Sequence, residues 1–264
     1  MAKTKGRPRP KGTQGFSMLT ASSQAPADVD YAAGMEAYFP QSLGTHMDRL
    51  RSFARFVPRQ ALSLFLAKHE LFQHVLSVHG HIIECGVHLG GGLMTWANLS
   101  AIYEPVNHTR RVVGFDTFSG FTKLHAKDAG ESTDFKAPGG LAVDSYEDLC
   151  RCVDLFDRNR PIGHIPRVEL VRGDACKTIP QYVRDNRHVV VAMLYLDFDV
   201  YEPTKVALET FLPRMPKGAV IGFDELNDAT WPGETLAVLE SVGLRNLRIR
   251  RSPITSQFSY AVLE

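Results

Sequence analysis

Between residues 82 and 224 the chain repeats one rhythm: a short apolar run rich in β-branched side chains, a turn, then a longer stretch with helical recurrence of its apolar positions. The runs at 82–85, 112–116, 168–171, 189–197 and 219–224 are continuous rather than alternating, which predicts strands buried on both faces of a parallel sheet. A helix is expected over 93–102, after the first strand. Segments 245–251 and 258–263 do alternate, through Leu247 and Ile249 and through Tyr260 and Val262, and predict a closing antiparallel pair. Together these elements specify an α/β, Rossmann-like fold: a mostly parallel seven-stranded sheet with helices on both faces, over residues 81–264. Upstream, Leu62, Leu64, Phe65, Leu66, Leu71, Phe72, Val75, Leu76 and Val78 recur at helical spacing. Residues 16–80 are therefore expected to form a helical extension, available to cover a site or to contact a second copy.

Two segments depart from this rhythm. Residues 117–147, between the second and third strands, hold Gly120, Gly130, Gly139 and Gly140 among many charges and are too polar to belong to the core. A connection of that length in a compact domain predicts a lid. Residues 1–15 carry Lys3, Lys5, Arg7, Arg9 and Lys11 among Gly and Pro, which predicts a disordered basic tail. Its Gly-Arg-Pro core is of the kind that enters DNA minor grooves, but solvated tails of this composition are common.

Charge narrows the partners. The chain has 30 Lys and Arg against 29 Asp and Glu, so the folded body makes no electrostatic case for nucleic acid or a membrane, and a small molecule is the expected partner. Cys85, Cys150, Cys152 and Cys176 have neither zinc-ribbon nor Cys-x-x-Cys spacing and fit a reducing compartment. The basic start is not followed by the apolar stretch of a secretory signal, and there is no apolar run of 18 residues, so a soluble cytoplasmic protein is expected.

The chemistry is written at the strand ends. Asp197 and Asp199 close one apolar run, and Asp224 with Glu225 closes another. Like charges at neighbouring strand ends repel, and a cation that prefers oxygen ligands offsets the repulsion, so these acids point to a divalent metal site. The carboxyl edge of an open α/β sheet is also where ligands bind. At the first strand the turn Glu84-Cys85-Gly86-Val87-His88-Leu89-Gly90-Gly91-Gly92 lets a ligand approach the backbone. Its glycine spacing is not that of a dinucleotide fingerprint, and Glu84 would repel phosphate while pairing with the ammonium of an amino-acid-like cofactor. S-adenosylmethionine is favoured over NAD. Asp116, ending the second strand, is suited to ribose hydroxyls, and Asp174, past the third, to the adenine end. Each alone also reads as a turn glycine or a helix cap.

These residues carry a resemblance. Glu84-Cys85-Gly86-Val87 with Gly90-Gly91, the block from Gly114 to Phe121, Asp197-Phe198-Asp199-Val200-Tyr201-Glu202-Pro203-Thr204, and Trp231-Pro232-Gly233 resemble the macrocin O-methyltransferase family, from about residue 50 to 264. The resemblance implies a class I methyltransferase fold and S-adenosylmethionine- and Mg2+-dependent methylation of sugar hydroxyls on natural products, in a homo-oligomer. It implies metal ligands at Asp197, Asp224 and Glu225, a general base at Asp199, and a donor site formed by Glu84, Gly86, Gly90, Gly91, Asp116, Thr117, Asp174 and Asp197. A base about 6 to 7 Å beyond Asp197 along the strand suits a proton transfer beside a metal.

Other readings stay open. Asp199 to Glu202 also fits a helix capping box, and Glu202-Pro203 a helix start with Pro at its first position. Glu225 departs from the family's Asp-Asp pair, with Asp228 as a spare ligand. His88 and His125 have no partner spacing that marks an acid or base, and Trp231 serves equally as an acceptor platform or as core. A nitrogen or macromolecular acceptor, or a non-catalytic scaffold with the same fold, are the competing functions.

Overall fold

The computed structural model describes residues 26–131, 135–256 and 258–264, and the basic segment 1–15 lies outside the described residues. The chain divides into two compact units, Met1–Leu62 and Ser63–Glu264. In the first, α1 (Pro26–Gln41) buries none of its residues, and α2 (His46–Arg51) opens on a capping box. Thr45 accepts from the Asp48 N–H at 3.2 Å while Asp48 accepts from the Thr45 N–H at 2.9 Å, which satisfies donors that a helix start otherwise leaves bare.

Helix α3 (Arg59–Val75) runs from the first unit into the second, where the alternation of strand and helix begins. The order is β1 (His81–Cys85), α4 (Gly91–Tyr103), β2 (Val112–Asp116), α5 (Tyr146–Arg158), β3 (Val168–Arg172), α6 (Ala175–Asp185), β4 (Val191–Leu196), α7 (Tyr201–Phe211), β5 (Val220–Phe223), α8 (Pro232–Ser241), β6 (Ile249–Arg251) and β7 (Ser259–Val262). All seven strands form one sheet, ordered β3-β2-β1-β4-β5-β7-β6, with β7 antiparallel to both neighbours. The order reverses direction between β1 and β4, so their carboxyl ends open a crevice of the kind that holds ligands in such sheets.

Strand periodicity divides the core. Ile82, Met193 and Val220 face one side and pack with Leu71 and Phe72 of α3, Trp96 of α4 and Leu149 of α5. Ile83, Leu194 and Ile221 face the other and pack with Ile179 of α6, Phe211 of α7 and Val238 of α8. Fully burying a side chain of this size stabilises by about 1.5–3 kcal/mol, so two such faces hold the strand ends firmly.

One expectation needs correction, and two readings left open are not met. The strand expected at 245–251 is shorter, because Gly243 at φ 77° and a 3-10 turn at Leu244–Asn246 take up its first half. The capping box that Asp199 to Glu202 also fits does not form. Helix α7 starts at Tyr201 after Val200, which gives no side-chain cap, and Pro203 lies two residues inside the start. The Tyr201 N–H instead donates at 2.7 Å to Asp128 Oδ1, from 73 residues earlier. Asp128 lies in the connection between β2 and α5, whose described residues contain one 3-10 turn, Ala126–Asp128. That connection is tied down by its backbone: the Gly139 N–H donates to Phe121 O at 2.8 Å and the Glu131 N–H to Ala229 O at 3.1 Å.

Candidate active site

Sheet register brings the acids together. Cys85 pairs with Leu196, and Leu196 with Phe223, so the next residues along, Gly86, Asp197 and Asp224, emerge side by side. Backbone bonds carry the alignment one step past the strands, from the Asp197 N–H to Cys85 O at 2.8 Å and from the Asp224 N–H to Leu196 O at 3.1 Å. Gly86 is required for this approach. Its φ is 101°, and a Cβ there would stand 1.8 Å from Asp197 O.

Asp197, Asp224 and Glu225 each offer a carboxylate oxygen, and these oxygens all lie within 4.8 Å of one another. Two more acids join them: Asp199, whose charge acts on the Glu225 carboxyl, and Glu234 of α8, fully buried, whose Oε1 accepts from the Glu225 N–H at 3.1 Å. Burial and then the charge of Asp224 push the carboxyls of Asp197, Glu225 and Glu234 well above the carboxylate range. The same causes, with further repulsion from Asp116 and Asp228, hold Asp199 up to about 8. Glu225 Oε2 and Glu234 Oε2 are buried and meet no hydrogen-bond partner among the described residues. Asp199 also sits at φ 61°, a left-handed conformation costly for a residue with a Cβ. Unpaired acid and backbone strain gathered at one sheet edge are marks of a functional site.

Beneath the acids lies a cation that local sequence patterns do not reveal. Lys68 of α3 is buried, with Nζ 3.8 Å from Glu84 Oε1 and 3.5 Å from the centroid of the Tyr195 ring. Tyr195 donates in turn to Asp224 Oδ1 at 2.5 Å. Glu84, expected to face a cofactor ammonium, therefore has Lys68 as its near cation. Burial raises its carboxyl to about 7 despite the opposing charge of Lys68.

The rest of the expected donor site spreads along the same edge. Asp116 accepts from the Val87 and His88 N–H groups at 2.8 Å each and from the Phe118 N–H at 2.7 Å, so its carboxylate braces the glycine-rich turn. Thr117 donates to Gly120 O at 2.7 Å within its own loop. Gly90 caps α4 at φ 80°, and Gly91 opens that helix with no atom within 4 Å of where a Cβ would stand. Asp174 caps α6, accepting from the Cys176 N–H at 3.1 Å, and lies away from the acid cluster, beyond β2 and β1. Asp228 accepts from the Thr230 N–H at 2.6 Å and the Trp231 N–H at 3.2 Å, which commits it to its own turn.

The two histidines singled out by sequence have structural partners. His88 belongs to the braced turn, and burial lowers its basicity against the pull of Asp116. His125 caps the 3-10 turn through Nδ1, with its ring 4.9 Å from that of Tyr201. Trp231 packs 5.4 Å from Phe121, joining the loop before α8 to the β2–α5 connection. Sequence reasoning missed Lys68, Tyr195, Glu234 and Asp128. Of these only Glu234, an acid in the first turn of α8 just ahead of the apolar run 236–239, left a local trace.

The likenesses to known proteins agree with this layout. The family model for macrocin O-methyltransferase (TylF) matches residues 57–241. A crystal structure of CalS11, a calicheamicin methyltransferase, is 33% identical over 90% of this chain and 93% of its own, with a TM-score of 0.87. Apo CalS11, described as a TDP-rhamnose 3'-O-methyltransferase of calicheamicin biosynthesis, is 32% identical over 90% and 95%, with a TM-score of 0.79. The O-methyltransferase NovP, 20% identical over 76% of this chain and 79% of its own at a TM-score of 0.57, shares the fold. A search of curated protein sequences found no match. The fold is that of a Rossmann-like class I methyltransferase, and with the matched family covering most of the sheet and every acid of the cluster, the chain belongs to the macrocin O-methyltransferase family and is an O-methyltransferase.

Proposed function

We propose that this enzyme moves the methyl group of S-adenosylmethionine to a hydroxyl of a sugar bound for, or carried by, a natural product, with Mg2+ held by Asp197, Asp224 and Glu225. The likeness to CalS11, which acts on TDP-rhamnose, supports a sugar hydroxyl as acceptor. The observation that carries the metal is the convergence of three carboxylate oxygens within 4.8 Å, with Glu225 Oε2 buried and unpartnered among the described residues. The donor set fits: all-oxygen, anionic ligands suit a hard divalent cation, and the two aspartates and one longer glutamate leave room for other oxygens. When bound, Mg2+ supplies Lewis-acid stabilisation to an ionising hydroxyl, and S-adenosylmethionine supplies an electrophilic methyl on sulfur.

The chain's own residues do the rest. Asp199 takes the proton of the acceptor hydroxyl as the carbon–oxygen bond forms and the carbon–sulfur bond breaks. With its carboxyl held up to about 8 by burial and neighbouring acids, Asp199 needs positive charge beside it to be a free base at neutral pH. Gly91 lets the donor lie close to the backbone at the crevice between β1 and β4, with Glu84, Gly86, Gly90, Asp116, Thr117, Asp174 and Asp197 completing its site. The connection 117–147 acts as a lid that excludes water and orients the acceptor, a contribution worth about 7–11 kcal/mol when both reactants are held in line. Self-association through the first unit belongs to the same reading, because Leu43 (86% exposed), Leu50 (67%) and Phe53 (54%) present apolar surface there. So does a cytoplasmic setting, since the four cysteines are free and no described helix is long and apolar enough to cross a membrane.

The test is methyl transfer to TDP-rhamnose from S-adenosylmethionine, read by mass spectrometry. Product is expected with Mg2+ and lost with a chelator, then restored by added Mg2+. An undiminished rate in chelator removes the metal from the mechanism, and methylation of amines but not of sugar hydroxyls removes the acceptor class.

A further inference from the structure

Tyr195 interrupts an aliphatic strand at the position just before Leu196 and Asp197, and nothing in the transfer chemistry above uses it. It is fully buried. Its ring is fixed on three sides, by Trp96 at 5.6 Å, by Phe258 edge-on at 5.9 Å and by Lys68 Nζ at 3.5 Å from the centroid. Across the sheet it pairs with Gly222, where a Cβ would come within 2.5 Å of the ring, so β5 carries its only glycine where the phenol needs space. Among the described residues the hydroxyl so held bonds to Asp224 Oδ1, at 2.5 Å.

A carboxylate with one oxygen tied to an immobile donor presents the other in a fixed direction, and partners of this kind govern how well a metal ligand binds. The ammonium under the ring adds to the effect, since a cation on the π face draws electron density from the phenol and strengthens its hydrogen bond to an acid. The geometry points to Tyr195, seated on Lys68, as a positioning residue that aims Asp224 at the divalent cation. This rests on the metal reading of Asp197, Asp224 and Glu225.

The experiment is titration of the full chain with Mn2+ followed by electron paramagnetic resonance, and with Mg2+ by calorimetry, both with S-adenosylhomocysteine present. Tyr195→Phe removes one atom and keeps the ring. It is expected to weaken cation affinity by about tenfold or more. The apparent Mg2+ constant for turnover should rise by the same factor, while the rate at saturating Mg2+ stays close to wild type. Lys68→Met, which leaves the phenol but removes the charge below it, should weaken affinity in the same direction by less, and it tests the arrangement independently should Tyr195→Phe fold poorly. Wild-type affinity in both variants, or a lower saturated rate with unchanged affinity, overturns the role of Tyr195 and leaves the metal reading standing. A wild-type protein that takes up neither cation overturns both.

Discussion

The two ends of the sheet each bury charge, and they resolve it in opposite ways. At the amino end Arg110 donates to Gly80 O at 2.8 Å, to Val75 O at 3.0 Å and to Val78 O at 2.9 Å, and pairs with Glu104 at 2.6 Å. Beside it Arg167 donates to Ser100 Oγ and, at 2.9 Å, to Asn107 O. Arg110 reaches the last carbonyl of α3, and each buried charge is met by oxygens of the protein itself. At the carboxyl end, Asp197, Asp199, Asp224, Glu225 and Glu234 crowd together, with Lys68 the one near counter-charge among the described residues. A buried charge that the fold satisfies holds the fold. One that it leaves unsatisfied is kept for something that arrives later.

That contrast breaks at defined points. The largest effect is expected at the carboxyl end, where Asp199→Asn should slow methyl transfer by about 10²- to 10⁴-fold while leaving Mn2+ affinity near wild type. Single-turnover kinetics decide it, and a loss below tenfold would give the proton to another group. At the amino end the cost should fall on stability instead. Arg110→Met takes the ion-pair partner from Glu104 and one donor from each of three carbonyls, and urea unfolding is expected to show a loss of about 3–5 kcal/mol, with the rate per folded molecule unchanged. A variant that kept its stability but lost activity would erase the distinction between the two ends.

The smallest effect concerns His81, at the start of β1. Burial, then the charge of Arg111, lowers its pKa from 6.5 to about 4, and its Nδ1 accepts from the Arg111 N–H at 3.3 Å, which suits a neutral ring. The unfolded chain takes up this proton near 6.5 and the folded one only near 4, so the contribution is intact above 6.5 and drains away as pH falls between those values. Thermal melts across that window should show a slope in wild type that His81→Gln flattens.

Much of the scaffold was legible because it is written locally. Continuous apolar runs mark strands buried on two faces, and the acids that end them lie where register then gathers them. The rest depends on partners distant in the chain. Lys68 sits on a helix at a position that reads as solvated, and only the packing of α3 over β4 turns it inward. Tyr195 passes for one more apolar strand residue until its hydroxyl meets Asp224, 29 residues on. Asp116 ends its strand as a ribose-binding acid would, yet its Oδ2 is bonded to the turn after β1, which no local pattern predicts. The capping box at Asp199 was sound by local rules. It lost to Asp128, whose carboxylate already occupies the Tyr201 N–H and frees Asp199 from that duty.

This cap has a consequence for engineering. Asp128 belongs to the connection that would meet an acceptor, and it steadies the helix that begins two residues after Asp199. A grafted connection taken from a relative to widen substrate scope would therefore loosen the start of α7 beside the proposed base unless an acid were kept at this position. On the proposed reading, selectivity and turnover would be stitched by one carboxylate, and libraries that vary the connection should hold Asp128 constant.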